Sequence, residues 1–214
     1  MHNFQYVTKN ESAPVKKELL SIIHEVQDIL REYFTFRYDF IGSSSRNMIT
    51  EDKKSNIGFD FDVNIEVNDD EDNYSPEELR TLLRTAIDQV APRYGYNYCE
   101  DSTRVLTIKK VNTYRSSIIH GCDFAIVNTY GNNEQQYIRF NKPNSYVWEN
   151  QGKAFDYWEE KIEFLKENGL WNDFREYYLY KKNINENPHK HSRSIFAEAL
   201  NEMCDKNGIK RIAK

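Results

Sequence analysis

One short stretch narrows what this chain can fold into more than any other. In Phe59-Asp60-Phe61-Asp62-Val63-Asn64-Ile65-Glu66-Val67, apolar and polar residues alternate without a break. That is the period of a strand with one buried and one open face. The apolar side carries two phenylalanines, two valines and an isoleucine. The other carries Asp60, Asp62, Asn64 and Glu66. Whatever else the chain forms, it needs a sheet in which this strand covers a core with one face and holds a row of polar groups on the other.

The segments around it supply both layers. Val15, Leu19, Ile22, Ile23, Val26, Ile29, Leu30 and Tyr33 recur at helical spacing, with Ser12 expected as N-cap and Pro14 in the first turn. Tyr38-Asp39-Phe40-Ile41 reads as extended and runs into a small-residue turn, Gly42-Ser43-Ser44-Ser45. The charged stretch Thr50-Glu51-Asp52-Lys53-Lys54-Ser55-Asn56 reads as a mobile loop. Ser75-Pro76-Glu77-Glu78 is a capping box with proline at the first helical position, opening a helix with Leu79, Leu82, Leu83, Ala86, Ile87 and Val90 on one stripe. Strands are expected at 105–111, 118–127 and 137–140, the last two joined by a Gly131-Asn132-Asn133 turn. From about Gly152 the period becomes helical. Phe155, Trp158, Ile162 and Leu165 form a stripe that ends at Asn168-Gly169, and further helices follow at 171–180 and 192–204. The expected class is α+β: a mixed sheet flanked by helices over residues 1–145, and a helical C-terminal part over 146–214 packed on that core.

With 214 residues, a sizeable core is within reach, and 15 Tyr and 12 Phe offset a hydrophobic content of only 39%. A net charge of -5 gives no bulk attraction for polyanions, so any phosphate contact must come from a local basic group or a bound cation. Three scattered cysteines make no disulfide framework, which points to a reducing compartment. The polar start MHNFQYVTKNES has no signal-peptide core, and no apolar run approaches the ~20 residues that cross a bilayer. A cytoplasmic protein with no membrane partner is expected.

Asp60 and Asp62 point the same way from one strand, roughly 6–7 Å apart. Ionised together they repel, and a hard cation such as Mg²⁺ relieves that repulsion through carboxylate oxygens. By itself an Asp-x-Asp pair is more often a plain acidic outer face. Asp123 changes the balance, because it interrupts the apolar run Ile118-Ile119-His120-Gly121-Cys122-Asp123-Phe124-Ala125-Ile126-Val127, where a carboxylate is costly without a cation or a positive partner. The plainer reading of Asp123 is a strand-end acid bonded to backbone amides. The Gly42-Ser43 turn lets backbone amides approach a phosphate closely, Ser43 adds a hydroxyl donor, and Arg46 is placed to clamp a phosphate.

Other residues carry less. His120 with Cys122, and His189 with His191, lack the spacing of structural zinc sites. Lys109 and Lys110 project to opposite faces of their strand, so one at most faces the acids. Tyr146 and Trp148 read as packing residues before they read as a base-stacking pair. Lys206, Lys210, Arg211 and Lys214 make a small basic tail whose default is solvation.

Taken together, Phe40-Ile41-Gly42-Ser43-Ser44-Ser45-Arg46, the Asp60-Phe61-Asp62 pair and the later Asp123 resemble the polymerase-beta-like nucleotidyltransferase superfamily, over roughly residues 15–128. The flavour is similar to the template-independent branch of oligoadenylate synthetases and the bacterial cyclic-oligonucleotide synthases of phage defence. The resemblance implies an enzyme that binds an NTP with Mg²⁺ or Mn²⁺ and transfers a nucleotidyl group to an acceptor hydroxyl of a nucleotide, RNA or protein, releasing pyrophosphate. Asp60 and Asp62 would hold both metals, Asp123 the catalytic one, and Gly42, Ser43 and Arg46 would bind the triphosphate. Two alternatives stand beside it: a toxin–antitoxin enzyme modifying a protein or tRNA, and a non-catalytic nucleotide-binding or interaction protein. The chain departs from the pattern in a long Gly42-to-Asp60 interval and in a C-terminal part short for a cyclic-oligonucleotide synthase.

Overall fold

A computed structural model describes residues 2–69, 72–130, 134–141, 145–151 and 156–208. The elements follow in order as β1 (Phe4–Tyr6), α1 (Lys9–Leu30), β2 (Thr35–Ile41), the short α2 (Gly42–Ser45), β3 (Thr50–Asp52), β4 (Phe59–Asn68) and α3 (Pro76–Val90). After a 3-10 turn at Ala91–Tyr94 come β5 (Glu100–Asp101), β6 (Leu106–Asn112), β7 (Ser117–Tyr130), β8 (Glu134–Asn141) and β9 (Ser145–Asn150). The last three are helices α4 (Asp156–Glu167), α5 (Trp171–Ile184) and α6 (Ser192–Lys206). The expected α+β class is the one found.

The chain divides into two compact units. The larger comprises Tyr6–Glu51 and Ser55–Gln151. Its sheet runs β2-β4-β7-β6-β5, with β8 added to β7 and β9 to β8. β4 and β7 are parallel and their other pairings antiparallel, so the chain must cross over between them, and α3, β5 and β6 make that crossing. Phe61, Val63 and Ile65 of β4 and Cys122, Phe124 and Ile126 of β7 are almost wholly buried. They share one core with Leu19, Ile22, Ile23 and Val26 of α1 and Leu83, Ala86 and Ile87 of α3. Burial of side chains this size, worth about 1.5–3 kcal/mol each, fixes which face of the sheet looks inward and so which face carries the acids.

Several boundaries differ from expectation for local reasons. α1 starts at Lys9, since Thr8 and Glu11 form a capping box one turn ahead of Ser12, and Pro14 lies inside the helix. The capping box at Ser75 and Glu78 forms as read. The 50–56 stretch is not all loop: Thr50–Asp52 is strand β3, and β3 pairs with β1, a strand the polar start concealed. β9 lies beyond residue 145, where the sequence reading began the helical part. The Gly131-Asn132-Asn133 turn, Phe155 and most of the basic tail lie outside the described residues.

The smaller unit comprises Met1–Gln5, Asp52–Lys54 and Gly152–Lys214. Ile162, Leu165, Phe174, Ile195, Phe196 and Leu200 build its core. Phe196 packs against Trp158 and Phe174 with ring centroids 5.2 Å away in each case, the latter edge-on. Asn183 clamps the Phe4 backbone in both directions, accepting from its N–H at 2.6 Å and donating to its carbonyl at 3.2 Å. Lys182 lies 4.0 Å over the Phe4 ring, and burial draws its pKa down to about 8. No helix among the described residues is long and apolar enough to cross a membrane.

In the larger unit, one buried ion pair ties α3 to the sheet edge. Arg80, 1% exposed, donates from Nε and Nη2 to Asp101 Oδ1 at 2.8 and 2.5 Å, and to the Ser102 and Val105 carbonyls at 2.6 and 3.0 Å. Arg80→Leu removes the buried charge partner of Asp101, which keeps Tyr146 and Arg84, and leaves both carbonyls without that donor, so a loss of about 3 kcal/mol is expected. Arg80→Lys should recover only part of it, because an ammonium cannot reproduce the planar fork. Urea midpoints for the three proteins measure the difference, and a loss below ~1 kcal/mol in Arg80→Leu would contradict the tie.

Candidate active site

The parallel pairing of β4 with β7 sets Asp60 opposite Gly121 and Asp62 opposite Asp123. Partners in register project from the same face of a sheet, and adjacent strands lie ~4.8 Å apart. Asp62 and Asp123 are therefore neighbours, with Asp60 one pleat back on the same face. The intervening residues, Phe61 and Cys122, point into the core. A thiol at Cys122 therefore cannot reach the acids, and burial raises its pKa well above the usual range. His120, on the core side, contacts the Tyr96 hydroxyl at 3.3 Å, and burial lowers its pKa to about 4, keeping it neutral. His189 and His191 are exposed on the smaller unit.

Two glycines make room for two of the carboxyls. A β-carbon at Gly121 would stand 2.5 Å from Asp60 Oδ1 and 3.3 Å from the Ile108 carbonyl. A β-carbon at Gly42 would stand 2.5 Å from Asp62 Oδ2, and Gly42 has φ +66°, a left-handed value that a side chain rarely adopts. The third carboxyl is held by a donor: Thr107 of β6, which lies opposite Asp123 across the antiparallel pairing, donates its hydroxyl to Asp123 Oδ1 at 2.5 Å. Among the described residues no group of three or more acidic, histidine or cysteine side chains is placed to hold a metal ion as the side chains stand. The carboxyls share a face while leaning on three different supports.

Their electrostatics are strained. Displaced water is the largest cause that raises Asp60 and Asp62, both to about 6, and repulsion from Asp123 is the next; Asp62 is raised further by Asp60. Asp60 still opens to solvent, so it is crowded rather than sealed. Asp123 is raised too, by burial, against the pull of the Thr107 hydroxyl and of Lys109. Lys109 lies opposite Gly121 on β6, lowers both Asp60 and Asp123 and is itself paired with Glu100. Lys110 points to the helix side, where it pairs with Glu18 of α1 at 2.9 Å. Neither lysine is simply solvated.

β2 feeds directly into the phosphate-binding candidate. Ile41, its last residue, is opposite Asp62, so Gly42 and Ser43 follow at the edge of the acidic cluster, in the short helix α2. Ser44 and Ser45 donate their hydroxyls back to the Ile41 and Gly42 carbonyls at 2.8 and 3.0 Å. The Ser43 hydroxyl makes no hydrogen bond among the described residues, and its carbonyl accepts from Met48 at 2.8 Å. Arg46 lies near enough to Asp62 to lower its pKa. Tyr146 and Trp148 lie elsewhere, packed against the core, with the Tyr146 hydroxyl donating to Asp101 at 3.0 Å. Sequence reasoning passed over Thr107. Its one signal was a place two residues before Lys109, on the same strand face.

A mixed sheet backed by helices, with this element order and a following helical part, is a nucleotidyltransferase fold. Neither a protein-family model nor a curated protein matches the chain. Among solved structures, Vibrio cholerae DncV in its 3'-deoxy ATP bound form matches over 97% of this chain and 55% of its own, at 14% identity and a TM-score of 0.61. The same enzyme, described as a cyclic AMP-GMP synthase in complex with the linear intermediate pppA(3',5')pG, matches over 97% and 54% at 14% identity and 0.60. The Bradyrhizobium diazoefficiens CD-NTase CdnG in complex with GTP matches over 99% and 52% at 17% identity and 0.51. The expected nucleotidyltransferase-type fold is thus met, and the likeness is one of fold. The chain spans about half the length of each of these proteins.

Two outcomes are expected. Gly121→Ala should destabilise the protein by about 1–3 kcal/mol through overpacking against Asp60. In an Asp60→Ala background the same change should be nearly neutral, so a double-mutant cycle should show coupling; additive losses would mean the contact is not the cause. The second concerns pH. Asp60 and Asp62 titrate near 6 in the folded chain against an ordinary 3.8, so the native state holds the extra protons between those values. Their contribution to stability is full below about pH 4 and is lost as pH rises through about 6. Relative to the Asp60→Asn/Asp62→Asn double variant, the wild-type melting temperature should fall across that window, and saturating Mg²⁺ should flatten the fall. Parallel melting curves for the two proteins would contradict it.

Proposed function

We propose that this chain is a metal-dependent nucleotidyltransferase that binds an NTP with Mg²⁺ or Mn²⁺ and transfers its nucleotidyl group to an acceptor hydroxyl, releasing pyrophosphate. The observation that carries the reading is the register that aligns Asp62 with Asp123 and sets Asp60 one pleat behind. Three carboxyls with raised pKa values form an oxygen-rich donor set that suits a hard divalent cation, which would restore their charge. When bound, such a cation neutralises triphosphate charge and favours ionisation of the acceptor hydroxyl.

In this reading Asp60 and Asp62 ligate cations on the triphosphate side, and Asp123 completes the site on the acceptor side. Ser43 offers a hydroxyl that no described protein group uses, beside a glycine that admits close backbone approach to phosphate. Arg46 adds positive charge next to Asp62 and can turn from it to a phosphate oxygen. Lys109, tethered to Glu100 on the far side, balances Asp60 and Asp123 before a cation arrives. The acceptor oxygen attacks the α-phosphorus, the bond to the β-phosphate breaks, and pyrophosphate leaves. That the structural neighbours are complexes with GTP, a 3'-deoxy ATP and a linear dinucleotide intermediate supports an NTP as substrate. Sharing the fold of half of each neighbour, the chain inherits no acceptor from them.

Enzyme and binding module separate in one paired measurement. Asp123→Ala should abolish pyrophosphate release while retaining Mg²⁺–NTP affinity, because the triphosphate is held mainly by Ser43, Arg46 and the Asp60–Asp62 pair. Ser43→Ala should weaken NTP binding by about 1.5–3 kcal/mol, a lost hydrogen bond to a charged group. Calorimetric NTP affinity and pyrophosphate release are to be read on wild type and both variants. Binding without release by the wild type, with every NTP and acceptor class tried, would favour a non-catalytic nucleotide-binding protein. Neither binding nor release would remove the assignment.

A further inference from the structure

The three acids are not equally supported. Among the described residues, no hydrogen-bond donor engages the Asp60 or Asp62 carboxyl, whereas Asp123 Oδ1 receives the Thr107 hydroxyl at 2.5 Å. Thr107 and Asp123 are paired across β6 and β7. The contact is therefore built by strand register and does not depend on a long side chain finding its partner. Thr107 is β-branched on a strand, which restricts its own rotamer, and its strand neighbours Leu106 and Ile108 are fully buried. A stiff donor on an anchored strand thus holds one oxygen of one carboxylate.

We propose that Thr107 is the positioning residue of the cation site: by donating to Asp123 Oδ1 it fixes the plane of that carboxylate and leaves Oδ2 as the oxygen more open to a cation. This rests on the nucleotidyltransferase reading and deepens it by dividing the acids into a pre-set member and a mobile pair. Asp123 is oriented in advance. Asp60 and Asp62 adjust to whatever cation–triphosphate complex arrives. Partners that orient a metal ligand typically contribute 10–100-fold in metal affinity or activity, and the effect here should fall on the acceptor side of the reaction. Thr107 touches neither the triphosphate candidates Ser43 and Arg46 nor the Asp60–Asp62 pair by any hydrogen bond.

The test uses the whole chain and Mn²⁺ alone as probe, with affinity read from the paramagnetic signal of free Mn²⁺. Thr107→Val keeps shape and branching and removes the hydroxyl; Thr107→Ser keeps the hydroxyl. Thr107→Val is expected to fold in the absence of metal, with a somewhat lower melting temperature from the lost hydrogen bond, and to bind Mn²⁺ about tenfold more weakly than wild type, and Thr107→Ser to stay within about twofold of wild type. Where turnover is measured, Thr107→Val should lower kcat with the KM for NTP unchanged. Wild-type Mn²⁺ affinity in Thr107→Val overturns the proposal. So does an equal loss in Thr107→Ser and Thr107→Val, which would assign the effect to packing. Asp123→Ala is the reference: if it binds Mn²⁺ like wild type, Asp123 is no ligand and the functional reading falls as well, whereas weakened binding in Asp123→Ala with none in Thr107→Val defeats the Thr107 proposal alone.

Discussion

Everything in the candidate site depends on the parallel pairing of β4 with β7. A shift of one residue would turn Asp123 into the core and bring Cys122 out to the acids, because side chains alternate faces with a period of two. What prevents the slip is the core itself. Phe61, Val63 and Ile65 on one strand and Cys122, Phe124 and Ile126 on the other are each at most 1% exposed, so a slipped register would bury carboxylates against α1 and α3. The cost of that arrangement, several kcal/mol for each unpaired charge, far exceeds anything gained at the surface. The acidic cluster is thus placed by hydrophobic burial on the opposite side of the sheet.

The cluster it creates opposes the stability of the protein that carries it. Two of the acids are pushed to about 6, and the fold mitigates this only in part, with Lys109 and Arg46 nearby and the Thr107 hydroxyl on Asp123. Gly42 and Gly121 make the crowding tighter, since each gives up a side chain so that an aspartate oxygen can lean into its place. A sheet face with no task for its acids would be stabilised by replacing any one of them with asparagine. Their joint presence is the physical argument behind the proposed cation, and for a chain of net charge -5 such a cation would also offset the charge of a polyanion.

Much of this was legible in the sequence, for a definite reason. Strict alternation in β4 fixes which residues face together, and capping boxes and glycine stops fix helix ends, as at Ser75 and Gly169. These are local rules. Local rules misplaced the start of α1, because Ser12 satisfied the N-cap preference while the stronger Thr8–Glu11 box lay one turn earlier. They concealed β1 and β3, whose three-residue lengths carry no period. They also passed over Thr107: its bond to Asp123 spans an antiparallel register between β6 and β7, and nothing within either strand states how the two slide. In the sequence Asp123 joined Asp60 and Asp62 through its cost in an apolar run, with a strand-end acid as the plainer reading, and the resemblance supplied the order that gathers the three.

The relation to the solved neighbours sharpens what the fold can and cannot supply. A chain that spans about half of a cyclic-dinucleotide synthase yet matches over nearly its whole length shares that fold, and on its own sheet it carries a glycine–serine turn and three acids. On the proposed reading these are the parts that would act on the triphosphate. Acceptor choice in such a reaction depends on surfaces that confront the α-phosphorus from the other side. On the proposed reading the groups that would face that side are Asp123, Thr107 and Lys109, all carried on β6 and β7. The cation pair and the serine turn, by contrast, are carried on β4 and on the segment after β2. On that reading nucleotide binding and acceptor activation would be carried by different strands, joined by the β4–β7 seam. Substitutions on one side should change affinity and on the other turnover, and that separability makes the functional reading testable residue by residue.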